Sequence, residues 1–387
     1  MNWIISIISL IILLLLFLPI IELGTRWWLR RRNLYYVWYP YLRFEFYPDH
    51  EVYPELEKKV LFEFNKDGER GNELPSAGAG LYRVLVAGGS SAECALLDFP
   101  TSWSSGALEN ILKKPENLRM LGASKVHVGS IARSGISSAH LNFIFQKVLP
   151  QYQHLSVVIV MVGGNDIWNW LQSGAPAIYK PAPFPIADAC IVYPNRPFGW
   201  SPKVTAVSEL LREIWRRFFH PVKVHRNAGK WVGKAREMRA HAKEIRNSVA
   251  DPKDMLANFE RNLAELLKSA KSHATRVIVV LQPWFEKDHY TSEEASHFWS
   301  GGMGDPSKKE EVTVFYSLEM CNYLMRLIGF RAAKVADDLG VEHLDLMPLW
   351  EPSLKTFYDF IHFTPAGSAV VTEAVAKTLL QSYSKKP

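Results

Sequence analysis

The sequence predicts a three-layer α/β/α protein with a mostly parallel five-stranded sheet, preceded by one transmembrane helix. Three observations carry this. Five short apolar runs, Tyr82–Ala87, Lys125–Ser130, Ser156–Val162, Arg276–Leu281 and Val341–Leu346, alternate with helical patterns. The first three runs end in glycine turns, where a parallel sheet opens its ligand site. A long apolar stretch stands at the N-terminus.

That stretch, Trp3 to Leu23, carries no charge before Glu22 and includes IISLIILLLLFLPII. About 20 apolar residues at 1.5 Å rise cross a hydrocarbon core of roughly 30 Å, so residues 1–25 are expected to be an anchor, held in a lipid bilayer through residues 3–23. No Lys or Arg precedes the run and no small-x-small site follows it, which favours a retained anchor over a cleaved signal peptide. Arg26, Arg30, Arg31 and Arg32 come next, and the positive-inside rule would put them, and the domain behind them, in the cytoplasm. Trp27, Trp28, Tyr35, Tyr36, Trp38 and Tyr39 read as an aromatic belt at headgroup depth. Residues 26–80 form this juxtamembrane segment and a connector from Tyr41 to Gly80, broken by Pro48, Pro54 and Pro75 and ending in SAGAG.

Residues 81–387 make the main domain. Helical spacing covers Ser105–Lys114, Ser137–Leu149, Asp254–His273, Val312–Leu339 and Pro365–Ser382. Two stretches break the alternation. At about 171–250 lies an insertion, in which a Pro- and aromatic-rich part, Leu171–Pro202, is followed by basic helices Val207–His220 and Lys230–Val249. Glu286–Ser307 reads as a mobile loop near the site.

At 387 residues, 48% of them hydrophobic and 12% aromatic, the chain can bury one large core, and disorder is not the default. Three cysteines without a CxxC pair indicate neither a disulfide framework nor a zinc site. The net charge of +6 is concentrated between Lys203 and Arg246, where twelve Lys/Arg face four Glu. Such a surface suits membrane headgroups or acidic polymers, or is simply a pair of solvated helices. No nucleic-acid motif accompanies it.

The first apolar run leads into Gly88-Gly89-Ser90-Ser91, so the Ser90 hydroxyl can stand in the open at a strand's carboxyl end. A nucleophile needs a base, an orienter and oxyanion donors. Asp359 precedes His362 by three residues, which puts acid and base on one side of a short turn. Gly163-Gly164-Asn165-Asp166 ends the third run and offers the Asn165 amide; Ala132-Arg133-Ser134-Gly135 ends the second and offers the Gly135 N–H. Taken singly, each is also an ordinary turn.

In this order, GGSS, SG, GGND and DFIH resemble the four characteristic blocks of the SGNH, or GDSL-type, hydrolases, over about Leu81 to Leu380. The resemblance implies a flavodoxin-like fold, with Ser90, Asp359 and His362 as the catalytic triad and Ser90, Gly135 and Asn165 as the oxyanion hole. Gly89 stands where the GDS form has Asp, a variation the family allows. The apolar anchor running into IELGTRWWLR, and FNKDGERG before the first block, are similar to a bacterial branch expected on the outer, periplasmic side of the membrane around polysaccharide modification, opposite to the arginine-based placement. The implied function is that of a membrane-anchored serine esterase or O-acyl (acetyl) transferase on an acylated carbohydrate or lipid, its ester substrate anionic if the basic insertion binds it. No metal or organic cofactor is required. The alternative is a hydrolase-fold subunit of a membrane complex, with the span, the belt and the insertion as surfaces for a complex partner.

Overall fold

The structure, a computed structural model, describes residues 2–30, 34–75, 80–193, 205–308, 310–349 and 351–381. Arg31, Arg32, most of SAGAG, the insertion between 194 and 204, and Ser382 lie outside them. Helix α1 (Asn2–Arg30) is followed by β1 (Leu34–Tyr36), β2 (Arg43–Pro48), β3 (Val60–Glu63) and β4 (Leu81–Gly88). Then come α2 (Ser90–Glu93), α3 (Gly106–Leu112), α4 (Pro115–Leu121), β5 (Lys125–Ser130), α5 (Ser138–Lys147), β6 (Leu155–Met161), α6 (Gly164–Gln172), α7 (Ile186–Ala189) and β7 (Ile191–Tyr193). The insertion holds α8 (Ala206–Phe219), β8 (Val222–Ala228), α9 (Lys230–Ala240) and β9 (Glu244–Arg246). The chain closes with α10 (Lys253–His273), β10 (Ala274–Val280), α11 (Ser292–Ser296), β11 (Val314–Tyr316), α12 (Leu318–Asp338), β12 (Glu342–Leu344) and α13 (Pro365–Gln381).

The core sheet has the order β12-β10-β6-β4-β5, and every neighbouring pair is parallel. Numbered by their sequence within the sheet, the strands run 2-1-3-4-5, the flavodoxin-like order, which reverses direction between β4 and β6. Val84–Ala87 and Val157–Met161 are fully buried because helices cover both faces. On one face α10 packs between α5 and α12; on the other α13 packs on α3 and α4. The α10 stripe Leu256, Phe259, Leu263, Leu266, Leu267 and Ala270 is the face turned to the sheet.

Several expectations need correction. The connector is not a plain strap: β2 pairs antiparallel with β3 and parallel with β8 of the insertion, making a second, three-stranded sheet. Four of the six belt aromatics are half-buried against the protein. Trp38 packs against Phe44, Phe62 and Phe64 and donates Nε1–H to the Ala132 carbonyl at 3.0 Å; Tyr39 lies beneath Arg216, and Tyr35 and Tyr36 pair with β7. Only Trp27 and Trp28 of that set are exposed. The second basic helix stops at Ala240 and β9 follows, pairing with β11. Val312–Leu339 is a strand and then a helix, with Ser317 as the N-cap accepting from the Met320 N–H. The Glu286–Ser307 loop is pinned, since α9 donates from Arg236 to the His297 carbonyl and from Arg239 to the Ser300 carbonyl.

The expected span forms most of α1. Among the described residues, no helix is long and apolar enough to cross a membrane. Several side chains of that stretch, Ile4, Ile5, Leu10 and Leu14 among them, lie outside the described set. Those that are described stand in open space: Leu16, Ile20 and Leu23 are 63%, 63% and 65% exposed.

Candidate active site

At the point where the sheet reverses direction, β4 and β6 lie side by side so closely that a Cβ on Gly88 would stand 2.2 Å from the Met161 carbonyl oxygen. Only glycine fits there, and the chain turns at Gly89 to place Ser90 at the first position of α2. A first-turn N–H has no acceptor within its own helix, which leaves the Ser90 N–H free to face a ligand.

The Ser90 hydroxyl is 2.7 Å from His362 Nε2. His362 Nδ1 lies 2.9 and 2.8 Å from the two Asp359 oxygens. Asp359 is buried, yet it accepts the N–H groups of Ile361 (3.0 Å) and His362 (2.9 Å) on Oδ1 and the Trp299 indole N–H (3.0 Å) on Oδ2. Burial opposes its ionisation, but the adjacent His362 charge and these donors outweigh it and hold the carboxyl at about 2. Asp359 is thus a carboxylate at any ordinary pH. Ser91 does not face the cleft chemistry; its buried hydroxyl donates to the Ile361 carbonyl (2.9 Å) and accepts from Gln282 Nε2 (2.8 Å), tying α2 to the His362 turn.

The other two blocks come to the same place. Gly135 has a φ of +78°, which turns its N–H in a way a side chain would resist, and among the described residues that N–H forms no hydrogen bond. Asn165 Nδ2 donates one hydrogen to the Ile136 carbonyl at 2.9 Å, leaving its second for the cleft it lines. Asp166 caps α5 by accepting the Ser138 N–H (2.9 Å) and hydroxyl (2.5 Å); burial raises its carboxyl to about 6. The GGND turn thus clamps the Gly135 loop from two sides.

Ser90, Gly135, Asn165, Asp359 and His362 line one open cleft of ≈ 630 Å³, so all five sequence-predicted positions are brought together. Its walls mix Trp168, Trp231 and Trp299 with Asn169, Gln172 and Arg133. A second opening of ≈ 410 Å³, lined by Phe46, His225, Arg226 and Trp231, reaches Ser90 and His362 from the side of the second sheet. Among the described residues, no group of three or more His, Cys, Asp or Glu side chains is placed to hold a metal ion.

Sequence reasoning missed three contributors. Trp299 sits 60 residues from Asp359, with no motif joining them. Arg70 of FNKDGERG is buried and donates Nη1–H to the carbonyls of Glu93 and Cys94, both at 2.9 Å, fastening the end of α2. Glu93, one turn after Ser90, is buried and accepts the Ser134 hydroxyl beside Gly135. The only signal for Glu93 was its place three residues after Ser90.

Burial pushes the Glu93 carboxyl up to about 7, against the Ser134 hydrogen bonds and the Arg70 charge. A carboxyl whose folded-state value exceeds its free value of 4.5 stabilises the fold fully below pH 4.5 and loses that contribution as pH rises towards 7. The expected result is that wild type loses roughly 3 kcal/mol relative to Glu93→Gln between those limits, because Gln keeps the neutral form at all pH. Urea denaturation of both proteins at pH 5 and pH 8 checks this; equal pH dependence of the two would refute it.

No protein-family model matches the sequence, and no curated protein matches it. Solved structures do resemble the fold. A catalytic mutant of an acetylxylan esterase from Geobacillus stearothermophilus is 14% identical over 79% of this chain and 96% of its own, with a TM-score of 0.39. The unmodified esterase gives 14% identity, 77% and 94% coverage and a TM-score of 0.38. An alpha/beta hydrolase enzyme from the metagenome of Lake Arreo, Spain, gives 13%, 79%, 97% and 0.38. At that level the likeness says nothing about substrate or reaction, and the chemistry rests on side-chain positions.

Proposed function

We propose that the protein is a membrane-anchored serine esterase or O-acyl-transferring enzyme of the SGNH type, acting on an acylated carbohydrate or lipid. The observation that carries this is the 2.7 Å contact of the Ser90 hydroxyl with His362 Nε2, backed by Asp359 on Nδ1. Ser90 Oγ attacks the ester carbonyl while Nε2 takes its proton. Asp359 stabilises the imidazolium, and the N–H groups of Ser90 and Gly135 with the Asn165 amide hold the oxyanion. Each such donor is worth about 3–4 kcal/mol of barrier. His362 returns the proton to the departing alcohol, and water or a sugar hydroxyl then takes the acyl group from Ser90. Tryptophan walls interleaved with amide side chains suit stacking and hydrogen bonding to sugar rings, which supports a carbohydrate ester. The open cleft over Ser90 supports catalysis over a purely scaffolding subunit. Labelling of the detergent-solubilised wild-type protein by a fluorophosphonate, with protection by a competing acetyl ester, is the expected result; a folded protein that resists the probe overturns the reading.

Helix α1 is the anchor in this reading, supported by its exposed Leu16, Phe17, Leu18, Ile20 and Ile21. The domain stands on the extracytoplasmic side, as the resemblance implies. The opposing arginine argument is weakened at Arg26, which is paired with Glu22 at 2.6 Å within α1. Protease added to intact spheroplasts digests the domain on this placement, whereas complete protection rules it out.

A further inference from the structure

Helix α8 carries its polarity the wrong way round for a water-facing helix. Its buried residues are Ala206 and Glu209, and Arg216 lies over the Tyr39 ring, 4.7 Å from its centre, so the side turned to the protein is small or charged. Leu211, Ile214, Trp215, Phe218 and Phe219 are 58%, 40%, 51%, 70% and 70% exposed. At 3.6 residues per turn these five fall within an arc of about 140°, bordered by Arg212 on one side and Arg217 on the other. An ordinary surface helix turns its apolar stripe to the core. Here Trp215 stacks on Phe219 with ring centres 6.4 Å apart, and Val222 and Val224 of β8, which follows α8, are exposed as well. A patch this continuous marks an interaction surface.

Its position indicates the occupant. The Glu22 carboxylate accepts the N–H groups of Ala206 (2.8 Å) and Val207 (3.0 Å), and Leu29 of α1 is buried with Ala206. The first turn of α8 is therefore fixed to α1 at the residue where the apolar run Leu13–Ile21 ends. A bilayer that holds this run has its headgroups beside Glu22, at the level of α8. The bordering arginines complement anionic headgroups.

We propose that α8 is an interfacial helix whose Leu211–Phe219 face lies in the headgroup–acyl boundary of a bilayer containing anionic lipid, a second attachment beside α1. This rests on the reading of α1 as the anchor. The test uses the full chain in vesicles of phosphatidylcholine with or without phosphatidylglycerol. Phe218→Cys and, in parallel, Leu211→Cys are labelled with an environment-sensitive fluorophore, with Glu373→Cys on α13 as the control; the native Cys94, Cys190 and Cys321 are buried. A quencher carried by the lipid near its glycerol end is expected to remove about half of the emission at 218 and 211, more strongly with phosphatidylglycerol, and to leave 373 unchanged. Unquenched labels on protein that stays in the vesicles after alkaline carbonate overturn the α8 proposal while the α1 anchor stands. Release by carbonate overturns the anchor as well. A 218-to-218 disulfide formed by the unlabelled Phe218→Cys protein on air oxidation, together with no quenching of the labelled protein, assigns the face to a second copy of the chain and also overturns the proposal.

Discussion

Replacing Ser90 by alanine is expected to abolish fluorophosphonate labelling and to lower ester turnover by about 10⁶-fold, leaving only what the oxyanion donors and binding supply. The size follows from the geometry: His362 Nε2 has Ser90 Oγ as its partner, and the neighbouring Ser91 hydroxyl is held by the Ile361 carbonyl and Gln282, so no second hydroxyl takes over. The fold has little reason to change, because the Ser90 side chain holds no part of the core and α2 is fastened by Arg70. Turnover of a chromogenic acetyl ester, measured beside the thermal midpoint, checks both halves. Retained labelling in Ser90→Ala would move the nucleophile elsewhere.

Asp359→Asn is expected to cost about 10⁴-fold in kcat with little change in KM. Asp359 now accepts from four donors: two backbone N–H groups, the Trp299 indole and His362 Nδ1–H. An asparagine keeps the shape, but with its oxygen kept on the two backbone N–H groups its Nδ2 takes the place of Oδ2, where it is a donor that meets both the indole N–H and the imidazole N–H. The imidazole then relieves the clash by taking the other tautomer, with its hydrogen on Nε2 facing Ser90, and it no longer accepts the serine proton. Because the carboxyl is held down at about 2, the fold favours the charged form over a neutral one, so the thermal midpoint of the variant is also expected to fall and is measured beside its turnover. Separate kcat and KM values for the variant check this; an unchanged kcat would remove Asp359 from the triad.

Much of the sheet and the site was legible because both are written locally. An apolar run followed by glycines is a strand end wherever it occurs, and Asp359 and His362 lie within one turn of each other. What the sequence concealed is non-local. Arg43–Pro48 is the central strand of its sheet through pairing with Val60–Glu63 and with Val222–Ala228, the latter far along the chain, and its alternating Phe44 and Phe46 looked like part of a connector. Trp38 resembled an interfacial aromatic until Phe44, Phe62 and Phe64 closed around it. Periodicity could not separate Val314–Tyr316 from α12, although the Ser317 cap was a local sign of the boundary. The surplus of basic residues suggested a binding surface, yet Arg236 and Arg239 are spent on backbone carbonyls beside Trp299.

The Ser90–His362 hydrogen bond joins residues 272 positions apart, and among the described residues the strand of the core sheet that leads to Asp359 and His362 is the last one made. At about 5–20 residues per second, a ribosome that has just finished Ser90 needs roughly 15–55 s more before His362 is made. Throughout that interval the nascent chain carries a glycine-turn serine with no base beside it. On the proposed mechanism, activity therefore appears in one step once residue 362 has been made, and a chain cut short before it is expected to be chemically silent however well its first strands have paired.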